Sequence, residues 1–372
     1  MVELVTPNEK IRDLTAAPRH IPIQMEGSVV FEVILSIWTT FDPSGMNTSQ
    51  FLGADFHARL KDLTPDDLKE EIAVLGGPHC AVWLGIAGLF VTAPHPHEPR
   101  RLFEWLEEMA PMRLRRWLLG YASHNGSASL IEQAASGDVE ALGELLCEKE
   151  GEYLDQLLTF FAIPDDELPR RLAGTLRRFY QEVFTQLDID FVGAVERAAA
   201  ARKSVAGRED AKTAIEEATQ GLDYDIPVGV GRVVLIPSVV VKPLSVIDQH
   251  RDALIVYYGM ADEFIDTDPE APPSWLVNTY KALSDEKRLR ILRRLSEGDT
   301  TLDELTGMLG LSKSTVHHHM SILRSAGLVR IKVPTEKKDK QRTYSLRDQI
   351  LGDTSGFLNS YLTTHQLEVD HA

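Results

Sequence analysis

The stretch that most limits what this chain can fold into is TTLDELTGMLGLSKSTVHHHMSILRSAGLV, Thr300 to Val329. Thr301 followed three residues later by Glu304 is a capping box, in which each side chain bonds the other residue's backbone N–H. It predicts a short helix from Leu302 to Leu309. Gly310 ends that helix, because glycine accepts the left-handed conformation a helix stop requires. Leu311 points to the core, and Ser312 has an oxygen suited to capping the next helix. That second helix is expected from about Lys313 to Ser325, with Gly327 just beyond it. Two helices joined by a very short glycine-containing turn make a helix-turn-helix.

The flanks extend the pattern. Pro273-Ser274 opens a helix carrying Trp275, Leu276, Tyr280 and Leu283. Ser284 is expected to cap the next, DEKRLRILRRLSEG, with Leu289, Ile291, Leu292 and Leu295 along an apolar face and Gly298 as its stop. Downstream, LVRIKV and RTYSL are strand-like runs on either side of PTEKKDKQ, a hairpin with a basic tip. A hairpin placed after a helix-turn-helix is a wing. A last helix, roughly Asp348 to Leu362, completes the module.

Taken together, ALSDEKRLRIL, the LDEL…LGLSKSTVHHHMSILRSAGLV block and the basic hairpin resemble the winged helix-turn-helix of ArsR-type bacterial transcriptional regulators. The resemblance covers about Trp275 to Leu346, roughly a fifth of the chain. Val234 to Tyr258, with its Ile236-Pro237-Ser238 step, more weakly resembles a poorly characterised domain that precedes this module in some longer members. The resemblance implies a homodimeric transcriptional regulator, with the module's first and last helices as the interface. It also raises metal sensing. In many metal-sensing members a Cys-x-Cys pair sits in the helix before the recognition helix; here Thr301 and Asp303 stand there. Another group uses Asp and His on the last helix, where this chain has only His365 and His371 in the tail.

Three consecutive histidines, His317, His318 and His319, cannot converge on one ion, because neighbours on a helix point about 100° apart. The same geometry assigns faces. Val316, Met320 and Leu323 share the core face. Ser314, His318 and Ser321 lie opposite, Lys313, His317 and Arg324 on one flank, Thr315 on the other. His319 borders the core. Ser314 and His318 are candidates for base edges, and His317 for a base or a phosphate. Ser312 and Thr315, beside exposed N–H groups at the helix start, suit phosphate oxygens. Lys337, Lys338, Lys340 and Arg342 on the wing are candidate phosphate or minor-groove contacts. The plainer alternative for each is a solvated surface residue.

Charge supports a polyanion partner for this part alone. Fourteen Lys and Arg against eight Asp and Glu lie between Pro273 and Leu346, a balance of +6, while the rest carries 25 basic and 48 acidic residues, −23. The acidic, proline-bearing stretch DEFIDTDPEAPP reads as a linker. The expected division is therefore a mostly helical, regulatory N-terminal domain over 1–261, a linker over 262–273 and the winged helix over 274–364.

The N-terminal region reads as helix over Val29 to Trp38, Arg101 to Met109, Met112 to Leu119, Asp138 to Glu148, Glu152 to Phe161, Asp165 to Ala206 and Glu209 to Thr219. Val228 to Ile236, Val239 to Lys242 and Ala253 to Tyr258 read as a small antiparallel sheet. The fold class expected is mainly α with small antiparallel β elements. His79, Cys80, His95 and His97 are metal-ligand types within 20 residues, but their spacing matches no metal motif. Gly229-Val230-Gly231 lacks the context of a dinucleotide site, and no P-loop, G-x-S-x-G or H-E-x-x-H occurs.

Trp38, Phe103, Trp105, Trp117 and Tyr121 are plain core or the lining of an effector pocket. Only two cysteines, Cys80 and Cys147, and no signal-like or membrane-spanning run point to a cytoplasmic protein. The reading is a sequence-specific DNA-binding regulator, not an enzyme. Its partners are double-stranded DNA, a second copy, and an unidentified small-molecule or protein effector, with no cofactor, metal or membrane. The alternative is an enzyme or metal-binding domain fused to a DNA-binding module.

Overall fold

The computed structural model describes residues 21–42, 54–77, 81–94, 97–122, 127–145, 160–203, 210–242, 244–250, 252–265, 272, 274–333 and 342–347, with 356, 358, 359, 361 and 362 in the tail. It is mainly helical with two small sheets. In the N-terminal body the order is β1 (Ile23–Met25), α1 (Val29–Phe41), α2 (Ala54–Leu63), α3 (Asp66–Gly76), α4 (Ala81–Phe90), α5 (Pro99–Glu107), α6 (Pro111–Ala122), α7 (Ala128–Ala135), α8 (Val139–Leu145), α9 (Leu168–Arg178), α10 (Phe191–Lys203), α11 (Ala211–Ala218), β2 (Leu222–Tyr224), β3 (Arg232–Ser238), β4 (Ser245–His250) and β5 (Ala253–Gly259). The C-terminal module follows with α12 (Ser274–Leu283), α13 (Glu286–Ser296), β6 (Thr300–Thr301), α14 (Leu302–Leu309), α15 (Lys313–Ser325), β7 (Val329–Val333) and β8 (Thr343–Leu346).

The sheet of the body has strand order β1-β3-β5-β4. Its sense corrects the expectation of an antiparallel sheet: β1–β3 and β3–β5 are parallel, and only β4–β5 is antiparallel. The cause lies in burial. Val234 and Ile236 face the large helical core with Ile255 and Tyr257, while Val233 and Leu235 face α11 with Leu254, Val256 and Tyr258. A strand covered on both faces reads as an unbroken apolar run, the signature of parallel pairing, rather than as alternation.

Val239 to Lys242 is a turn and not a strand. Glu32, fully buried on α1, accepts from Val239 N–H at 2.7 Å, Val240 N–H at 3.2 Å and the Ser238 hydroxyl at 3.0 Å. Ser238 Oγ also accepts from Val240 and Val241 N–H at 3.1 and 3.3 Å. These side chains satisfy N–H groups that a strand would have paired with a neighbour.

The long helical pattern over Asp165 to Ala206 is two helices. α9 runs into a π turn over Phe179–Val183 and a 3-10 turn over Phe184–Gln186. Asp190 Oδ1 then accepts from Gly193 N–H at 2.9 Å and starts α10 afresh. Trp38, Phe103 and Trp117 are buried in the main core and Trp105 packs against it, while nothing is described of the Tyr121 side chain. Most of Glu152 to Phe161 and both cysteines fall outside the described residues.

The winged helix has its own core of Ala282, Ile291, Leu292, Leu295, Leu305, Leu309, Val316, Met320, Leu323, Leu328, Val329 and Tyr344. Two local expectations are corrected. Asp285, not Ser284, caps α13, its side chain accepting from Arg288 N–H at 3.0 Å. Leu289 is not on the apolar face but 48% exposed, since two residues separate it from Ile291 by about 200°. Of the expected final helix, the described residues 356, 358, 359, 361 and 362 are helical. No helix among the described residues is long and apolar enough to cross a membrane.

Burial pushes the carboxyls of Glu32 and Asp248 up to about 7, against the backbone hydrogen bonds that pull each down. Folding therefore favours their protonated forms. The stabilisation this gives is complete below the ordinary carboxyl range and is lost as pH rises through about 7. Thermal melts should show the unfolding midpoint falling across that window, and Asp248→Asn, which is neutral at every pH, should flatten the fall.

Candidate nucleic-acid interface

The recognition helix α15 is built as its residues dictate. Ser312 caps it, accepting from Thr315 N–H at 3.2 Å, and its end is marked by Gly327 at φ +70°. Val316, Met320 and Leu323 are buried beneath it, which turns the opposite face outward. In front of it, α14 carries the complete Thr301–Glu304 capping box and ends at Gly310 in the left-handed region, φ +63°. At 1.5 Å per residue the 13 residues of α15 span about 20 Å, a length that a major groove accommodates.

Ser312, Lys313, Ser314, Thr315, His317 and His318 are all exposed and lie together over the first two turns of the helix. The three hydroxyls form a small network: Ser312 Oγ lies 2.9 Å from Ser314 Oγ and 2.8 Å from Thr315 Oγ1. A cluster of hydroxyls at a helix start offers donors where the macrodipole favours an anion. Lys313 Nζ pairs with Asp303 at 2.8 Å, both side chains well exposed. Exposed pairs are worth only about 0–1 kcal/mol, so Lys313 can exchange this partner for a phosphate at little cost.

Ser321 and Arg324 are placed differently. Both are half-buried, and Arg324 lies near Tyr344 and Arg342 at the helix C-terminus, where burial holds its guanidinium below the usual range. It therefore stands apart from the open group at the N-terminal end. His319 borders the core, with Nδ1 4.0 Å from Asp285 Oδ1. On the wing, Arg342 is exposed just before β8, while Lys337, Lys338 and Lys340 lie outside the described residues. Lys332, exposed on β7, was not singled out by sequence reasoning; its alternation with Arg330 and Ile331 along the strand is the signal that could have found it.

The positions that raise metal sensing have other work. Thr301 serves the capping box and Asp303 the pair with Lys313. His97 is buried, with Nδ1 3.0 Å from Glu26 and Nε2 3.1 Å from the Ala93 carbonyl. Burial alone would lower its pKa, but these bonds prevail and raise it. His79, Cys80 and His95 lie outside the described residues. Among the described residues no three His, Cys, Asp or Glu side chains are grouped to hold a metal ion.

Residues 285–330, the segment from the α13 cap through the recognition helix into β7, match the bacterial regulatory protein family arsR. Similar stretches occur in the HTH-type transcriptional regulator CmtR of Mycobacterium bovis, and of Mycobacterium tuberculosis, at 38% identity over 89 residues. That match covers 24% of this chain and 72% of CmtR. The chain belongs to the ArsR family. The transcriptional repressor SdpR of Bacillus subtilis is 29% identical over 85 residues, 23% of this chain and 90% of SdpR. Each of these relatives is matched by about a quarter of the chain at most, so the ArsR-type match describes a DNA-binding regulatory module joined to a larger body.

Two classes of contact are expected, base edges from the exposed face of α15 and phosphates from the wing lysines. Ser314→Ala and His318→Ala should each cost about 1–3 kcal/mol on a preferred duplex and relax preference at one base position. Lys338→Ala should weaken all sequences alike and reduce the salt slope by nearly one. Fluorescence anisotropy on matched and scrambled duplexes reads both, and identical behaviour of the two classes would refute the face assignment.

Proposed function

We propose that this ArsR-family chain is a sequence-specific transcriptional regulator that inserts α15 into the major groove as a homodimer, with the N-terminal body controlling operator binding. The observation that carries the reading is the open, polar N-terminal half of α15, standing on the buried stripe of Val316, Met320 and Leu323. The matched relatives, a transcriptional repressor and an HTH-type transcriptional regulator, support it. So does the cationic balance of the module against an acidic body.

Dimerisation is supported by large apolar side chains left exposed on the module. Trp275 and Tyr280 on α12 are 37% and 39% exposed, Leu289 on α13 48%, and Leu362 in the tail 57%. A symmetric pair would place two recognition helices about 34 Å apart, one turn of the duplex. The body is proposed to act as a regulatory domain without catalytic activity, biased by an effector with unequal affinity for its states. A cytoplasmic location accompanies that reading.

Selection of the full-length chain against a random duplex pool, followed by anisotropy across a salt series, tests the proposal. Enrichment of a sequence with two related half-sites is expected, as is a log–log salt slope of several units, near −0.9 per phosphate contacted. No enriched sequence, or affinity indifferent to ionic strength, would remove the DNA reading. Sedimentation should show a dimer that Trp275→Ala with Tyr280→Ala weakens; a monomer in the unaltered chain would contradict the symmetric arrangement.

A further inference from the structure

The sheet of the winged helix is not made by the winged helix alone. Its strand order is β2-β7-β8-β6, and β2 comes from the N-terminal body. β2 pairs in parallel with β7, Leu222 opposite Ile331, Asp223 opposite Lys332 and Tyr224 opposite Val333. Ile331 N–H donates to the Gly221 carbonyl at 2.7 Å.

A second contact reinforces this seam. Glu216 sits on α11, whose Ala214, Ile215 and Ala218 are buried against the sheet of the body. Its Oε1 accepts from Arg330 Nε at 2.7 Å and lies 2.6 Å from Arg330 Nη2 and 3.9 Å from Arg347 Nε. Arg330 is on β7, opposite Ser345 of β8, and Arg347 directly follows β8. Arg347 also binds back to the wing, its N–H donating to the Leu328 carbonyl at 3.1 Å and its Nη1 to the Gly327 carbonyl at 3.2 Å. One carboxylate thus holds the base of both wing strands. Glu216 is only 19% exposed, so solvent screens the pair less than it screens a surface bridge.

The backbone at the seam admits one residue type. Gly221 has φ +116°, and a Cβ there would lie 2.8 Å from the Val329 carbonyl oxygen. Gln220 before it also has positive φ, 58°. The chain accepts an unfavourable backbone to bring β2 against β7. The seam leaves the recognition surface open: Lys313, Ser314, Thr315, His317 and His318 are exposed while it is closed. Without β2, β7 would present an open edge, and the β7–β8 hairpin would keep only the two-residue β6 beside it.

We propose that the N-terminal body positions the wing for DNA through the β2–β7 seam, with Glu216 as the positioning residue. The inference rests on the DNA-binding reading above. It specifies the route by which a change in the body reaches the operator: displacement of α11 or β2 loosens the wing while α15 keeps its own core. The wing's phosphate contacts weaken, and base preference stays.

The test uses the full chain and the duplex that the unaltered chain selects. Gly221→Ala disturbs the seam without changing charge. Glu216→Arg disturbs it by repulsion, and the double exchange Glu216→Arg with Arg330→Glu restores an opposite-charge pair at the original net charge. Hydrogen exchange over residues 329–333 reports the seam itself, independently of DNA. Both single variants should exchange faster there, bind about tenfold more weakly and show a shallower salt slope, as for one or two lost phosphate contacts, with base preference retained.

The double exchange should recover slow exchange, affinity and slope. Faster exchange with affinity and slope unchanged would overturn the proposal. So would tighter binding, which would make the seam a restraint, or unchanged exchange, which would mean that Glu216 and Gly221 do not hold it. Loss of base preference without recovery in the double exchange would show general damage to the fold and count against positioning. If the unaltered chain selects no duplex, the DNA reading fails and this proposal with it. Normal selection with any of the other adverse results removes the positioning role alone.

Discussion

Everything that the C-terminal module presents to its surroundings depends on how three side chains seat one helix. Val316, Met320 and Leu323 fix the rotation of the recognition helix against Leu305 and Leu309 before it and Ile291, Leu292 and Leu295 beneath it. Rotation is the critical variable, because a helix turned by one residue would carry a different set of groups outward. With this seat, two histidines and a run of hydroxyls face solvent and the third histidine is turned toward Asp285. The triplet looks like one feature in the sequence and is divided between two environments in the fold.

Much of that was legible because the module's punctuation is chemical. Thr301 with Glu304, Gly310, Ser312 and Gly327 each have a local reason to start or stop a helix, and the structure uses each. Where two neighbours could serve equally, local reasoning had no means of choosing, as with Ser284 and Asp285. The sense of the body's sheet was legible only in part, for another reason. The run VVLI in β3 is apolar on both faces because helices cover both, and pairing direction is decided by elements far along the chain. β2 was missed altogether: three residues of ordinary composition carry no periodicity, and their partner lies beyond the linker.

The body pays for its compact sheet in ionisable groups placed deep inside. Glu32 is fully buried yet anchors the turn after β3 through its hydrogen bonds to Val239 and Val240. Buried carboxyls of this kind tie distant segments together with a directionality that apolar packing lacks. The acidic excess of the body and the basic balance of the module are therefore not simply two surfaces of opposite sign. Where they meet, Glu216 takes up Arg330, and part of the module's positive charge is directed inward rather than toward a polyanion.

The origin of β2 has a consequence for biosynthesis. Domains form as units from the N-terminus as the chain leaves the ribosome. By the time β7 emerges, the segment it must join has already been translated and stands beside a finished sheet. The late strand thus completes a pairing between segments far apart in sequence, a contact of the kind that forms slowly. Until then β2 lacks its strand partner, and a chain halted between the two halves would leave its backbone donors and acceptors open to neighbours.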